Sequence, residues 1–223
     1  MMKGLIGRKV GMTQLFRPAG ERVAVTVLQV GPCVVTQQKT ADSDGYEALQ
    51  LAFEPVLDEA TSASLSREQR ERRLAKRSNK PQRRMFEQLE LAPHRVLREI
   101  RVADATETEV GTVLAADIFA VGDLVNVIGT TKGQGFQGVM RRHGWGGQRA
   151  SHGSKIHRAP GSSGSTDAAR VFPGQKGPGQ TGRVRQTERN LVVELVDAEA
   201  NVIAVRGAVP GPTGGLVLVL GEE

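Results

Sequence analysis

Cysteine is almost absent: of 223 residues, only Cys33 is one. A lone thiol excludes an internal disulfide and a Cys-rich zinc site, and it points to a reducing, cytosol-like compartment. Aromatic residues make up 4% of the chain, with a single Trp, which argues against a sheet that stacks successive bases on exposed rings. No apolar run reaches the roughly eighteen residues needed to span a bilayer. The opening MMKGLIGRKVGM has no apolar stretch of signal-peptide length and no small-residue cleavage site after it, so secretion is not expected.

Acidic residues are scarce in one place. The chain carries 30 Lys and Arg against 24 Asp and Glu, a net charge of +6. Residues 131–189 hold eleven of the cations and only two acids, Asp167 and Glu188, so this stretch is +9 and the remainder is −3. Of the 27 glycines, 13 lie between Gly133 and Gly182. Such a segment has too little apolar surface to offset the entropy of ordering a core of its own. A mildly acidic body with a basic, Gly-rich extension calls for a polyanionic partner; the alternative is a disordered linker.

The body reads as mainly β with an α+β insertion. Strands are expected around Leu5–Val10, at Val23–Val30 and at Leu49–Phe53, where β-branched residues concentrate. Gly31-Pro32 ends one of them, and Asp42-Ser43-Asp44-Gly45 is turn chemistry. From Asp58 to Asn79 the composition changes to Glu, Arg, Ala, Leu and Ser, which predicts a helix about Ser66–Arg77. That helix is polar all round, so it is either a solvated face or an RNA-facing one. An amphipathic piece with Met85, Phe86, Leu89 and Leu91 follows Pro81, and Pro93 closes it. Further strands are expected at Leu97–Val102, Leu124–Ile128, Leu191–Val196, Val202–Val209 and Leu216–Leu220. Turns at Asp197–Asn201 and Gly211–Gly215 join the last three. Many short strands with Gly and Pro turns predict a small antiparallel β-barrel rather than a parallel sheet.

Two enzymatic readings fail on context. Gly133-Gln134-Gly135-Phe136-Gln137-Gly138 fits a dinucleotide-binding GxGxxG. The helix that should follow is cut short by Gly144, Gly146 and Gly147, and His157 and Arg158 stand where a ribose-binding acid belongs. His143, His152 and His157 invite a metal site or a nucleophilic dyad with Ser151 or Ser154. Yet Asp167 is the only acid between Lys132 and Arg185 to orient them. Among so many cations, these imidazoles read as donors to phosphate or ribose. Trp145, flanked by glycines in HGWGG, is either a small core anchor or, more in keeping with its surroundings, a stacking element. A thin Gly-rich strand pair suits the narrow crevices of folded RNA.

Seven blocks in order carry a resemblance: GRKVGMTQLF from Gly7, VTVLQVGPCVV from Val25, DGYEALQLAF from Asp44, LREIR from Leu97, TTKGQGFQGVMRRHGWGG from Thr130, SHGSKIHRAPGS from Ser151 and RGAVPGPTGG from Arg206. The chain resembles the universal large-subunit ribosomal protein three family in its bacterial form. The resemblance implies a barrel of translation-protein type resting on the large subunit's surface, a long loop reaching towards the peptidyl transferase centre, and a role in early subunit assembly. There are departures. Pro160-Gly161-Ser162-Ser163-Gly164 stands where the family has PGSIG, and STDAARVF after it is a residue shorter than usual. The glutamine methylated in some bacteria has no counterpart. GQKGPG from Gly174 replaces GKKMAG, and Glu54–Lys76 is longer and more charged than is usual.

The expectation is therefore a non-enzymatic rRNA-binding protein of the ribosome, cytoplasmic unless the ribosome is an organelle's. It would need no cofactor, metal, membrane or small-molecule substrate, and its partners would be large-subunit rRNA and neighbouring large-subunit proteins. Residues 1–130 and 183–223 form the barrel body, with a charged helical insertion about 54–102, and residues 131–182 form the arm. The RNA-binding residues expected are Lys132, Arg141, Arg142, His143, Trp145, Arg149, His152, Lys155, His157, Arg158, Arg170, Lys176, Arg183 and Arg185. Among them Arg141, Arg142, Arg149, Lys155 and Arg158 are phosphate anchors, while Trp145 and the three histidines pack on sugars or bases. The rival readings are a nucleotide-dependent enzyme and a chaperone-like basic protein without a fixed RNA target.

Overall fold

The computed structural model describes residues 3–57 and 59–221; Asp58, where the change to helical composition begins, lies outside them, as do Met1 and Met2 of the opening segment. The chain divides into two compact units, one running up to Thr130 and from Gln186 onwards, the other Thr131–Arg185. In chain order the first contains β1 (Gly4–Phe16), β2 (Arg22–Val30), β3 (Cys33–Lys39), the single turn α1 (Ala41–Asp44) and β4 (Ala48–Pro55). The helices α2 (Glu59–Ser64), α3 (Arg67–Arg77) and α4 (Lys80–Gln88) come next, then β5 (His94–Arg101), β6 (Val113–Leu114) and β7 (Leu124–Thr130). The second unit holds β8 (Gly135–Gln137), α5 (Val139–His143) and β9 (Gly179–Thr181). The body resumes with β10 (Arg185–Asp197), β11 (Val202–Arg206) and β12 (Leu216–Gly221).

Six strands close into an antiparallel barrel in the order β1-β12-β7-β10-β11-β2, and β5-β4-β3-β6 form a separate four-stranded sheet. Closure removes sheet edges that would otherwise template aggregation. The strand expected at Val23–Val30 is present as β2: Val23, Val25, Leu28 and Val30 are buried, while Arg22, Ala24 and Gln29 are exposed. Leu5, Leu28, Val125, Val127, Val193, Ile203, Val217 and Val219 from the barrel share one core with Val35, Leu51, Phe53 and Ile100 from the sheet. Cys33 lies in this core, and burial pushes its thiol up to about 11, so it is an inert packing group.

Several elements differ from the sequence expectation. β1 runs on to Phe16, because Met12–Phe16 pair with Thr26–Arg22 beyond a bulge at Lys9/Gly11. β3 is an addition to the expected strands: Thr36, Gln37, Gln38 and Lys39 look like a loop. Here Thr36 Oγ1 donates to the Gln50 carbonyl at 3.1 Å, and Gln38 Nε2 donates to the Thr108 carbonyl at 2.5 Å. β6, two residues long, is too short for periodicity to show. The strand expected through Val209 stops at Arg206, where Gly207 takes φ +97°.

The helix predicted from Ser66 is present. Ser66 caps it by accepting from the Gln69 N–H, while Gln69 reaches back to the Ser66 N–H. α3 buries no residue. α4 buries Phe86 against the His94 ring, with centroids 5.7 Å apart. His94 is itself buried, which lowers its pKa, and Nδ1 lies 2.6 Å from the Ala92 carbonyl, a bond that needs the proton on Nδ1.

Two of the family-like sequence blocks are one structural device. Arg8 pairs through Nε and Nη2 with both carboxylate oxygens of Glu54, and its Nη1 donates to the Gly214 carbonyl at 2.5 Å. Lys9 Nζ donates to the carbonyls of Val209 at 2.7 Å and Gly211 at 3.2 Å, and the Gly214 N–H donates to the Lys9 carbonyl at 2.7 Å. The Gly- and Pro-rich connection between β11 and β12 is thus sewn to β1. Arg8 holds the Glu54 carboxyl below its ordinary 4.5. A carboxylate depressed in this way stabilises the folded chain fully above the unfolded value, and that contribution is lost as pH falls through the folded value. Urea midpoints measured at about pH 6 and about pH 3.5 should therefore fall further on acidification for the native chain than for Glu54→Gln, by about 1 kcal/mol or less for so exposed a pair. Identical acid sensitivity in the two chains would contradict the assignment.

Candidate nucleic-acid interface

Thr131–Arg185 starts and ends as a two-stranded ribbon. The Thr131 N–H donates to the Val184 carbonyl at 2.9 Å, and Thr131 Oγ1 accepts from the Val184 N–H at 3.2 Å. The Gln134 N–H donates to Thr181, and Gly135, Phe136 and Gln137 of β8 face Thr181, Gln180 and Gly179 of β9. The ribbon's two sides come into tight contact at Gly182, whose φ is +73° and where a Cβ would sit 2.1 Å from the Lys132 carbonyl oxygen. Only glycine satisfies both conditions.

Beyond the ribbon, α5 is a helix of five residues ended by Gly144 in the left-handed conformation. Val139 is buried, the one aliphatic residue of this unit that is. Arg142 Nη1 donates to the Gly177 carbonyl at 2.8 Å, and His143 Nε2 lies 3.0 Å from the same oxygen, which fixes the His143 proton on Nε2. A second close approach brings Gly147 against His157, where a Cβ would lie 2.1 Å from the His157 carbonyl oxygen. The unit is held by backbone carbonyls and glycine approaches in place of an apolar core.

The predicted side chains fall into distinct settings. Lys132, Arg141, Arg142, Arg149, Lys155, Arg158, Arg170, Lys176, Arg183 and Arg185 are all exposed, as are His152 and His157. His143 and Trp145 are half-buried. The structure brings Arg142 and His143 together at Gly177, and it sets the HGWGG segment beside His157. Arg142 therefore has an internal role beyond the anchoring expected of it. Lys132 and Arg183 flank the ribbon's narrow point, while Arg170 lies over the Phe172 ring with its Cζ 5.4 Å from the centroid. His152 and Arg183 adopt φ of +67° and +55°, conformations that cost of order 1 kcal/mol and fix where their side chains leave the backbone. Among the described residues, none of the ten cations is in an ion pair, and no three His, Cys, Asp or Glu side chains gather as metal ligands. The GxGxxG run contains β8 and ends before a one-turn helix, and among the described residues no parallel strand follows, so it forms no dinucleotide-binding unit.

Residues 34–216 match the family pattern described as Ribosomal protein L3. The chain belongs to the ribosomal protein L3 family. It is 48% identical over 219 residues to the large ribosomal subunit protein uL3 of Desulforudis audaxviator, which covers 98% of this chain and 95% of that one. The uL3 of Pelotomaculum thermopropionicum is also 48% identical over 98% of this chain and 96% of its own length, and that of a Geobacillus species 45% over the same shares. The L3 family consists of structural proteins of the ribosome, not enzymes.

The candidate residues chosen by type left out other exposed features of the Thr131–Arg185 unit. Phe136 is 75% exposed and Phe172 55% exposed, and both belong to the same basic, Gly-rich stretch of sequence as Trp145. The signal that singled out Trp145, an aromatic ring in a basic Gly-rich run, applied to them equally. Gly177, whose carbonyl takes two donors, left no trace because a backbone acceptor has no sequence signature.

Trp145 distinguishes a core role from an interface role. A core Trp replaced by Ala costs about 3–5 kcal/mol. This side chain is only half-buried, in a unit with one buried aliphatic residue. The melting temperature of free Trp145→Ala should therefore stay close to that of the native chain. A loss of several kcal/mol would return Trp145 to the core.

Proposed function

We propose that this chain is a structural constituent of the large ribosomal subunit that binds large-subunit rRNA, that its Thr131–Arg185 unit is an arm reaching towards the peptidyl transferase centre, and that it supports early subunit assembly. The observation that carries the reading is charge without compensation: ten exposed Lys and Arg share this unit with a single acid, Asp167. Like charges so close together repel one another, and their unpaired donors are satisfied only by water or by an external anion. RNA supplies that anion as a closely spaced row of phosphates, and the counterions released on binding drive association.

Roles then divide by setting. Arg141, Arg149, Lys155 and Arg158, exposed and unpaired, serve as phosphate anchors; Arg142 spends one donor on Gly177 and keeps the others for RNA. Lys132, Arg183 and Arg185 neutralise phosphates along the ribbon, and Arg170 and Lys176 do so farther on. Trp145 and His143, half-covered, pack on sugars or bases with His152 and His157, and the exposed rings of Phe136 and Phe172 extend the stacking surface. The similarity to bacterial uL3 proteins supports a cytoplasmic ribosome as its location. Neighbouring large-subunit proteins are the other partners, and the chemistry rests with the RNA rather than with this chain.

Salt dependence tests the assignment. If the arm neutralises several phosphates, log affinity for large-subunit rRNA falls steeply with log salt, and removing the cation from any one phosphate flattens the slope by about 0.7–0.9. Arg141→Ala and Arg158→Ala should each flatten it. An unchanged slope in both variants would remove these residues from the interface.

A further inference from the structure

The body's net charge of −3 conceals a second concentration of cations. Residues 66–88, spanning α3 and α4, contain nine Lys or Arg and three acids, a net +6, leaving the rest of the body with 10 basic and 19 acidic residues. Seven of the nine are Arg. α3 alone carries six cations against Glu68 and Glu71, and none of its residues is buried. Packing therefore does not explain its composition. Helix stability does not explain it either, because Arg72/Lys76 and Arg73/Arg77 are like-charge pairs at the i,i+4 spacing that weakens a helix. Among the described residues of this helix, only Arg67 and Glu71 form an ion pair, at 3.5 Å and largely exposed.

The helix ends at a concave site. Arg8 from β1, Glu54 and Pro55 from β4, Val56, Arg77 at the end of α3 and Arg95 from β5 line a cleft of about 390 Å3. This is within the roughly 300–1,000 Å3 typical of ligand pockets. Three guanidinium groups from three different elements meet one carboxylate there. The carboxylate is already engaged in a two-pronged pair with Arg8. Arg77 is steadied by donating Nη1 to the Val56 carbonyl at 3.4 Å, and the side chains of Arg77 and Arg95 are exposed. The cleft is left with a net positive charge and the planar, multi-donor groups that recognise phosphate oxygens.

We propose that this cleft, with the cationic surface of α3 leading to it, is a second RNA anchor on the body that takes a backbone phosphate of large-subunit rRNA between Arg77 and Arg95. Glu54 organises the site by holding Arg8 and limiting the excess charge. The inference rests on the chain's being an rRNA binder and places an RNA anchor outside the arm. An acidic protein segment is the competing occupant. The predominance of Arg over Lys and the convergence of guanidiniums in a concavity favour the tetrahedral, multiply accepting phosphate.

The test uses the full chain and large-subunit rRNA across a range of salt concentrations. Arg77→Gln/Arg95→Gln should flatten the log–log slope by about 0.7–0.9 for each phosphate left without its cation, and combining it with Arg141→Gln/Arg158→Gln should add the two effects. Arg77→Lys/Arg95→Lys, which keeps the charge but not the fork, should preserve the slope while lowering affinity. Unchanged melting temperatures would show that the variants are folded, as exposed positions allow. A native slope and affinity in the cleft variant, with a flattened slope in the arm variant, would overturn the proposal. Normal RNA binding with impaired incorporation into subunits would do the same and make the cleft a protein-binding site. If neither variant altered the slope, the rRNA-binding reading itself would fall.

Discussion

Two neighbouring barrel strands hold both ends of the stretch with the largest net positive charge. β7 and β10 are adjacent in the closed barrel, and everything between Thr130 and Arg185 leaves from one and returns into the other. The pairing is secured by the Gly122 N–H on the Val193 carbonyl at 2.8 Å, the Val193 N–H on Asp123 at 2.9 Å, and the Asn190 N–H on Asn126 Oδ1 at 3.0 Å. Val125, Val127 and Val193 sit in the core directly beneath these bonds. Loop-closure entropy rises only slowly with length, by about 0.6 kcal/mol per doubling, so a barrel can carry a long insertion at modest cost once its own strands are paired. Within the second unit, Thr131 and Val184 pair at its two chain ends.

That division of labour explains the composition. The body contains nearly all of the buried aliphatic side chains, while the second unit has only Val139 and relies on glycine close approaches and on the Gly177 carbonyl. A unit held in this way keeps all ten of its cations exposed, even Arg142, which spends one donor on the Gly177 carbonyl. On the proposed reading the surrounding acidity of the body is useful as well. Like charge repels phosphate from most of its surface, so RNA engages at the arm and at the Arg-lined cleft, and charge fixes how the chain docks as well as how tightly it binds.

Much of the body was legible because its signals are local. β-Branched composition exposed β2, and the switch to Glu, Arg, Ala, Leu and Ser marked α3. β3 was hidden because its Thr, Gln and Gln side chains find backbone and amide partners that exist only after folding. The join between GRKVGM and RGAVPGPTGG was invisible for a similar reason: Lys9 reads as a surface cation, yet its ammonium is buried against two carbonyls about two hundred residues away. In the arm, exposure followed from composition, but the double use of the Gly177 carbonyl did not. Averaging charge over the whole body concealed the +6 of residues 66–88, which a count over α3 and α4 alone makes plain.

The central claim is that the barrel is an independently stable support and that the Thr131–Arg185 unit is completed by RNA. Limited proteolysis of the full chain, free and bound to large-subunit rRNA, tests this directly. With so little buried apolar surface in the arm, the free chain should be cut first between Thr131 and Gly182, leaving the body resistant, and bound RNA should suppress those cuts. Digestion of the barrel while Thr131–Gly182 remains intact, or cleavage in that segment that RNA does not slow, would contradict the account.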